Sequence, residues 1–436
     1  MSRLAILTAV LLGLAGSAAF ASFAFRAEDA RETRVPAVES PADRTISQLQ
    51  QRLVGTPDDL SALDDLGFAF LQKARESGDP TLYTKAHGVF QKALTIDADD
   101  QSALIGASAV AAARHDFEQA LTFAQQAREL DLGDPDANGA LGDALIELGR
   151  YDEALTAFQV MLDNRPDLNA YVRVAYAREL HGDSDGAIEA TRLALEASRP
   201  TGETAAWVRS QLGNLYFNRG DFAAASEQYD ASLSAFPGYI HALAGLARIT
   251  AAGEDYEQAI ELYSEVVSRQ PVLEHVAALG DVYRAAGREA DAQRQYDLAS
   301  AIDSLYRANG INTDLEMALF LADHDLRPDE AVAQARVIYD KQPGSIRAAD
   351  VLSWALYRTG QNNEAAVYSR EALRLGTQDP LLLFHAGMID RALGNNDTAL
   401  DYLSRAVDAN PRFSVLYADE AADALAELNA AVRRGQ

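Results

Sequence analysis

An alanine recurs along this chain at a spacing that few folds accommodate. It stands at Ala86, Ala120, Ala154, Ala187, Ala225, Ala259, Ala292, Ala331, Ala365 and Ala399. Successive separations are 34, 34, 33, 38, 34, 33, 39, 34 and 34 residues. Other residue types keep step with it. Five positions earlier comes Gly149, Gly182, Gly220, Gly287, Gly360 or Gly394, and twelve earlier Gly142, Gly213, Gly280 or Gly387. Four positions later Phe90, Phe158, Tyr229, Tyr263 and Tyr296 supply bulk, and twelve later Pro166, Pro237, Pro271, Pro343 or Pro411 closes the unit. In residues 207–237 these marks spell two helices and a turn. Leu212, Gly213 and Tyr216 share one helical face and Ala225, Tyr229 and Ser232 another, because residues three and four apart are neighbours. Gly220 suits the left-handed end of the first helix, Asp221 the cap of the second, and Pro237 stops it. Such a pair leaves its apolar faces uncovered unless a copy packs on each side.

A period of 34 with this pattern resembles the tetratricopeptide repeat, from about Thr45 to the C-terminus and in roughly ten copies. The resemblance implies an all-α, right-handed superhelical solenoid in which each repeat touches its neighbours and the ends need caps. Repeats are expected over about 60–411, within an array spanning 44–436, with a lead-in helix at 45–54 and a capping helix at 412–433. Glu76 to Tyr83 reads as a loop insertion in the first repeat. Extra residues near 199–202 and 304–312 account for the two long spacings. The eighth repeat departs most, with no glycine at either slot and Pro328 just before its second helix. Such arrays serve many roles, so the fold alone assigns none.

The N-terminal flank differs in kind. Residues 4–25 carry no charge behind Arg3, which suits either a signal peptide cut after Ala21 or an uncut anchor. Either one sends the remainder out of a bacterial-type cytoplasm, to the periplasm or another extracytoplasmic site. Membrane contact is expected only through residues 4–25, if they are retained. Residues 26–43 are charged, contain proline and read as a disordered tether.

The net charge of −27 argues against nucleic-acid binding, which needs a basic face. The absence of cysteine excludes disulfides, thiolate metal sites, a cysteine nucleophile and a lipid-modified cysteine. No phosphate loop, G-x-S-x-G elbow or H-E-x-x-H pair is present. No cofactor, catalytic residue or metal site is therefore expected. Asp323-His324-Asp325 is the one dense cluster of metal-ligating types, and neighbours on a helix diverge, so it reads as a helix end. Asp64-Asp65 and Asp99-Asp100 read as solvated residues.

In the family that this chain resembles, the first helix of each repeat lines the concave, peptide-binding face. The corresponding stripe holds Trp207, Asn214, Phe217 and Asn218 in the fifth repeat, His241 and Arg248 in the sixth, and Asp281 and Arg284 in the seventh. The ninth adds Arg347, Trp354, Tyr357 and Arg358, and the tenth His385, Met388 and Arg391. Both tryptophans fall on the stripe, and Trp, Tyr and Arg dominate binding hot spots. The expected groove is therefore Trp207, Asn214, Phe217, Arg248, Arg284, Trp354, Tyr357, Arg358 and Arg391, exposed along one continuous concavity with a basic lining. The competing reading packs these aromatics between adjacent first helices. A carboxylate clamp is disfavoured, since Ser210 stands where that subset of the family has lysine. The expected function is a non-enzymatic scaffold of the bacterial envelope that binds a protein or peptide partner. The alternatives are a groove-based carrier or sensor for a glycan or metal ion, using His241, His385 and residues 323–325, and a hydrolase within the eighth repeat.

Overall fold

The computed structural model describes residues 41–435, and those residues form 22 α-helices and no strand. A lead-in helix α1 (Pro41–Gly55) is followed by ten antiparallel pairs. The first five are α2 (Leu60–Ser77) with α3 (Thr81–Ile96), α4 (Gln101–Ala113) with α5 (Phe117–Leu130), α6 (Pro135–Glu147) with α7 (Tyr151–Asn164), α8 (Leu168–Leu180) with α9 (Ser184–Glu196), and α10 (Glu203–Asn218) with α11 (Phe222–Ala235). The next three are α12 (Ile240–Ala252) with α13 (Tyr256–Arg269), α14 (Leu273–Ala285) with α15 (Glu289–Ala308), and α16 (Asp314–Asp323) with α17 (Pro328–Lys341). The last two are α18 (Ile346–Arg358) with α19 (Asn362–Ala372), and α20 (Pro380–Ala392) with α21 (Asn396–Ala409). Helix α22 (Ala418–Gly435) closes the array. The molecule is an all-α helical repeat solenoid.

The periodic residues do the packing expected of them. All ten anchor alanines are buried, so the helices of each pair cross with only a methyl group between them. The bulky residue four positions on fills the gap to the next repeat. The Tyr229 ring lies against Gly213 of its own repeat and Gly245 of the following one, and a Cβ on either glycine would overlap it. Phe90 stands in the same way between Gly67 and Gly106. Aspartates begin many of the helices. Asp59, Asp100, Asp116, Asp134, Asp167, Asp183, Asp221, Asp255 and Asp379 each accept a backbone N–H of the first turn. Nine of the 65 acidic residues thus act as helix caps.

Several local expectations need correction. Residues 41–43, assigned to the tether, are the first turn of α1. The insertion at 76–83 is mostly helix ends, with only residues 78–80 between α2 and α3. The long spacing before the eighth repeat is taken up largely by α15, which runs 20 residues where most second helices here run 14. The final helix starts at Ala418 rather than 412, leaving Phe413 and Tyr417 to pack on Phe384. Asp64 is buried rather than solvated, and burial together with the nearby Asp100 charge pushes it up to about 7. The segment at 1–25 and the tether through residue 40 lie outside the described residues.

The second half of the array docks on the first. The helix–helix turn of each of the first five repeats meets the inter-repeat junction five repeats later. Gly78 abuts the Gln270 side chain. The Asn312 amide donates to the Arg114 carbonyl at 3.1 Å. The Ile346 amide donates to the Tyr151 hydroxyl at 3.0 Å, and Gly149 lies against the Gly344 carbonyl group. Gly182 lies against the Gly376 carbonyl, and Asn410 Nδ2 donates to the Phe217 carbonyl at 2.7 Å. Arg374 ties the Gly149 and Gly344 carbonyls together. This seam stacks one turn of the superhelix on the other and converts the concave face into an internal chamber.

Candidate functional site

The chamber has a volume of about 510 Å³ and opens into a second lobe of similar size. First helices build most of its wall. The slot eighteen residues before the anchor contributes Trp207, His241, Glu274, Arg347 and Leu381, and the slot eleven before contributes Arg75, Ala109, Tyr176, Asn214 and Arg248. These two slots lie about two helical turns apart and so face the same way. Glu179, Glu203 and Asp379 complete the charged lining of this lobe, and Glu316, Asp350 and Asp408 belong to the second.

Protein surrounds these charges and shifts their ionisation. Burial, with the Asp379 charge adding to it, pushes Glu179 up to about 7. Burial and the Glu316 charge do the same to Glu274. Burial also raises Glu203. It holds His241 down to about 4 and, with the His241 ring beside it, His275 down to about 3, so both are neutral near pH 7. Burial opposes the charge on Arg347, yet Tyr176, Glu147 and Glu316 around it raise its pKa overall.

The expected groove residues fall into two groups. Trp207, Asn214 and Arg248 line the chamber, with the indole half-buried. Arg248 donates to Asn214 Oδ1 at 3.0 Å and to the Tyr229 hydroxyl at 3.2 Å, and its guanidinium lies 3.9 Å from the Phe217 ring centre. Phe217, expected to be exposed, is 2 % exposed beneath that guanidinium. Trp354, expected to be exposed as well, is fully buried: its ring stacks 4.0 Å from that of His385 and 5.0 Å from Tyr357, and Nε1 donates to Asp323 at 2.8 Å. Trp354 occupies the same slot as Asn214 and Arg248, but a large ring there reaches the next first helix and becomes inter-repeat core. Tyr357 is half-buried behind it. Arg284 covers Tyr296, Arg358 pairs with Asp325, and Arg391 pairs with Glu427 of α22. None of these last four lines the chamber lobes described. The lining is not basic, because the described lobes hold more carboxylates than arginines. Glu179, Glu203 and Glu274 also line the wall, and neither aromatic nor basic character marks them in the sequence. The signal that locates Glu274 was present, since it repeats the Trp207 slot.

Asp323, His324 and Asp325 diverge as their positions at a helix end require. Asp323 accepts from Trp354 and the Tyr417 hydroxyl, His324 Nε2 lies 2.7 Å from Asp281, and Asp325 holds Arg358. His385 is buried with Nδ1 3.0 Å from Asp350. Among the described residues no group of three His, Asp or Glu is placed to hold a metal ion.

Helix pairs stacked in register around an inner surface define an all-α helical repeat solenoid. Two family models, both of the tetratricopeptide repeat, match residues 111–178 and 210–274. The chain carries tetratricopeptide repeats. No curated protein matches it in sequence. Among solved structures it is similar to YrrB, described as a repeat protein of this type with an unusual peptide-binding site, at 23% identity over 42% of this chain and 92% of that one (TM-score 0.29). It is similar to a tetratricopeptide repeat protein from Parabacteroides merdae at 16% identity over 60% and 98% (TM-score 0.35). It is also similar to human IFIT1, solved as a dimer with PPP-AAAA, at 17% identity over 83% and 77% (TM-score 0.39).

Proposed function

We propose that the chain is a non-enzymatic interaction scaffold of the bacterial envelope, binding an extended segment of a partner protein against the inner face of repeats five to seven. Tetratricopeptide arrays in general act as protein-interaction scaffolds. The observation that carries the reading is the half-buried Trp207 beside Asn214 and Arg248 on a chamber wall. A large ring left partly open to an enclosed space is the kind of anchor that dominates binding energy. The Trp207→Ala, Arg248→Ala double variant is expected to lose about 2 kcal/mol or more of partner affinity while keeping its helicity. Pull-downs from envelope extracts, compared between the natural chain and the variant, check this. Capture of the same proteins by both would remove the inner face from the proposal.

Residues 4–25 support the envelope assignment, as an uncharged run behind Arg3. Among the described residues no helix is long and apolar enough to cross a membrane. A reporter active only in the periplasm, fused after Asp43, is expected to be active. Activity from a cytoplasm-dependent reporter alone would overturn the assignment.

A further inference from the structure

The chamber wall has unpaired acceptors, and its carboxylates outnumber its arginines. Glu274 is exposed to the chamber and takes no hydrogen bond or close ion pair from the described residues, though the Arg248 and Arg347 charges act on it. Oε2 of Glu316, on the next repeat, is shielded from solvent without a donor. His275 is 3 % exposed and sits in the wall with its Nδ1 3.3 Å from the Gln270 carbonyl. A carbonyl only accepts, so Nδ1 carries the proton and Nε2 of the neutral ring is a lone-pair acceptor. No described group donates to that Nε2. Glu179 receives only the Asn218 amide, at 3.3 Å. Four arginines face these groups: Arg248 donates to Asn214 and Tyr229, Arg219 pairs with Asp185, Arg347 feels Tyr176 and the charges of Glu147 and Glu316, and Arg75 lies near the charge of Glu203.

A partly open chamber with unpaired acceptors, more carboxylates than arginines and aromatic walls is complementary to a donor-rich cation with an apolar stem. Resting on the reading that the inner face is the binding surface, we infer that the chamber takes a linear organic cation whose guanidinium or ammonium groups donate to Glu274 and Glu316. The source is either the Arg or Lys side chains of the partner segment or a free polyamine. The volume of about 510 Å³ lies within the range usual for ligand pockets. Burial is the chief cause that raises Glu274, and a hydrogen bond donated to its carboxylate offsets that burial.

Calorimetric titration of the full-length chain with three probes tests this at physiological salt. The probes are acetyl-Gly-Arg-Gly-Arg-amide, spermidine and acetyl-Gly-Glu-Gly-Glu-amide. At least one cationic probe is expected to bind once per chain, and the acidic peptide much more weakly. Glu274→Gln with Glu316→Gln, which keeps side-chain shape, is expected to weaken that binding tenfold or more. Asp97→Asn, Asp99→Asn, Asp131→Asn, a triple change at exposed junctions, is expected to leave it within twofold. Binding of the arginine peptide alone identifies a partner chain as the source, and of spermidine alone a free polyamine. Equal loss in both variants would reduce the effect to surface attraction and overturn the inference, as would the absence of saturable binding by either cation. An acidic peptide that binds as tightly, and is lost on Trp207→Ala, would overturn the charge assignment while leaving the inner face as the binding surface. Circular dichroism of each variant separates loss of binding from loss of fold.

Discussion

Trp354→Ala is expected to destabilise the C-terminal repeats by about 3–5 kcal/mol, the usual cost of truncating a fully buried tryptophan. Two terms combine. The indole fills a space between the ninth and tenth repeats, against His385, Phe384, Tyr357 and Tyr417. It also supplies one of the two side-chain donors to Asp323, the other being the Tyr417 hydroxyl at 2.9 Å. Burial already raises the Asp323 pKa, so losing a donor leaves a desolvated carboxylate short of a partner. Trp354→Phe keeps most of the volume and loses only the hydrogen bond, so it should fall between the natural chain and alanine. Trp207→Ala, at a half-buried ring, should cost clearly less. Denaturant melts followed by near-ultraviolet dichroism rank the three. A Trp354→Ala variant as stable as the natural chain would show that the indole is no part of the core.

Gly149→Ala is expected to open the seam. Gly149 has φ of +75° and Gly287 +72°, and they occupy the same slot of the third and seventh repeats. Left-handed backbone costs alanine roughly 1–2 kcal/mol at either position. Their surroundings differ. A Cβ on Gly149 would overlap the Gly344 carbonyl group, whereas one on Gly287 meets nothing within 4 Å. The contact at Gly149 is backbone on backbone, so no side chain can swing away to relieve it. Gly149→Ala should therefore enlarge the radius of gyration in small-angle X-ray scattering and make the 344–346 junction accessible to protease. Gly287→Ala should lower the melting temperature slightly and leave the dimensions alone. Identical scattering from the two variants would mean that the turns do not depend on this contact.

The repeat was legible because its cause is local. A methyl at each helix crossing, a glycine under each aromatic ring and a left-handed turn residue all recur at fixed offsets, so ten buried alanines were identifiable from their spacing alone. Gly245 and Gly106 belonged to the same pattern but sit fourteen residues before their anchors, an offset that becomes meaningful only once the ring of the preceding repeat is seen between two helices. The inner surface was half legible. The slot of Asn214, Arg248 and Trp354 was located, but not which members stay open, because that depends on whether the side chain is long enough to reach the next first helix. The seam was not legible at all. The periodic Gly149 and Gly182 take part, but their spacing does not say what lies against them. The other contacts are backbone groups and single side chains such as Asn410 and Arg374, and the hydrogen bonds join residues 193 to 225 positions apart.

Those long separations alter how such an array folds. A simple stack of repeats makes only short-range contacts, can nucleate anywhere and can fray from either end. Here the clasp between Phe217 and Asn410 forms only after the intervening repeats have folded with the correct curvature. An error in the pitch of any one repeat is multiplied along the arc and moves every later junction out of register with its turn. The closed seam thus acts as a proofreading step on the geometry of the whole chain. It raises the contact order, which slows the last stage of folding, and it couples the two ends so that neither frays independently of the other.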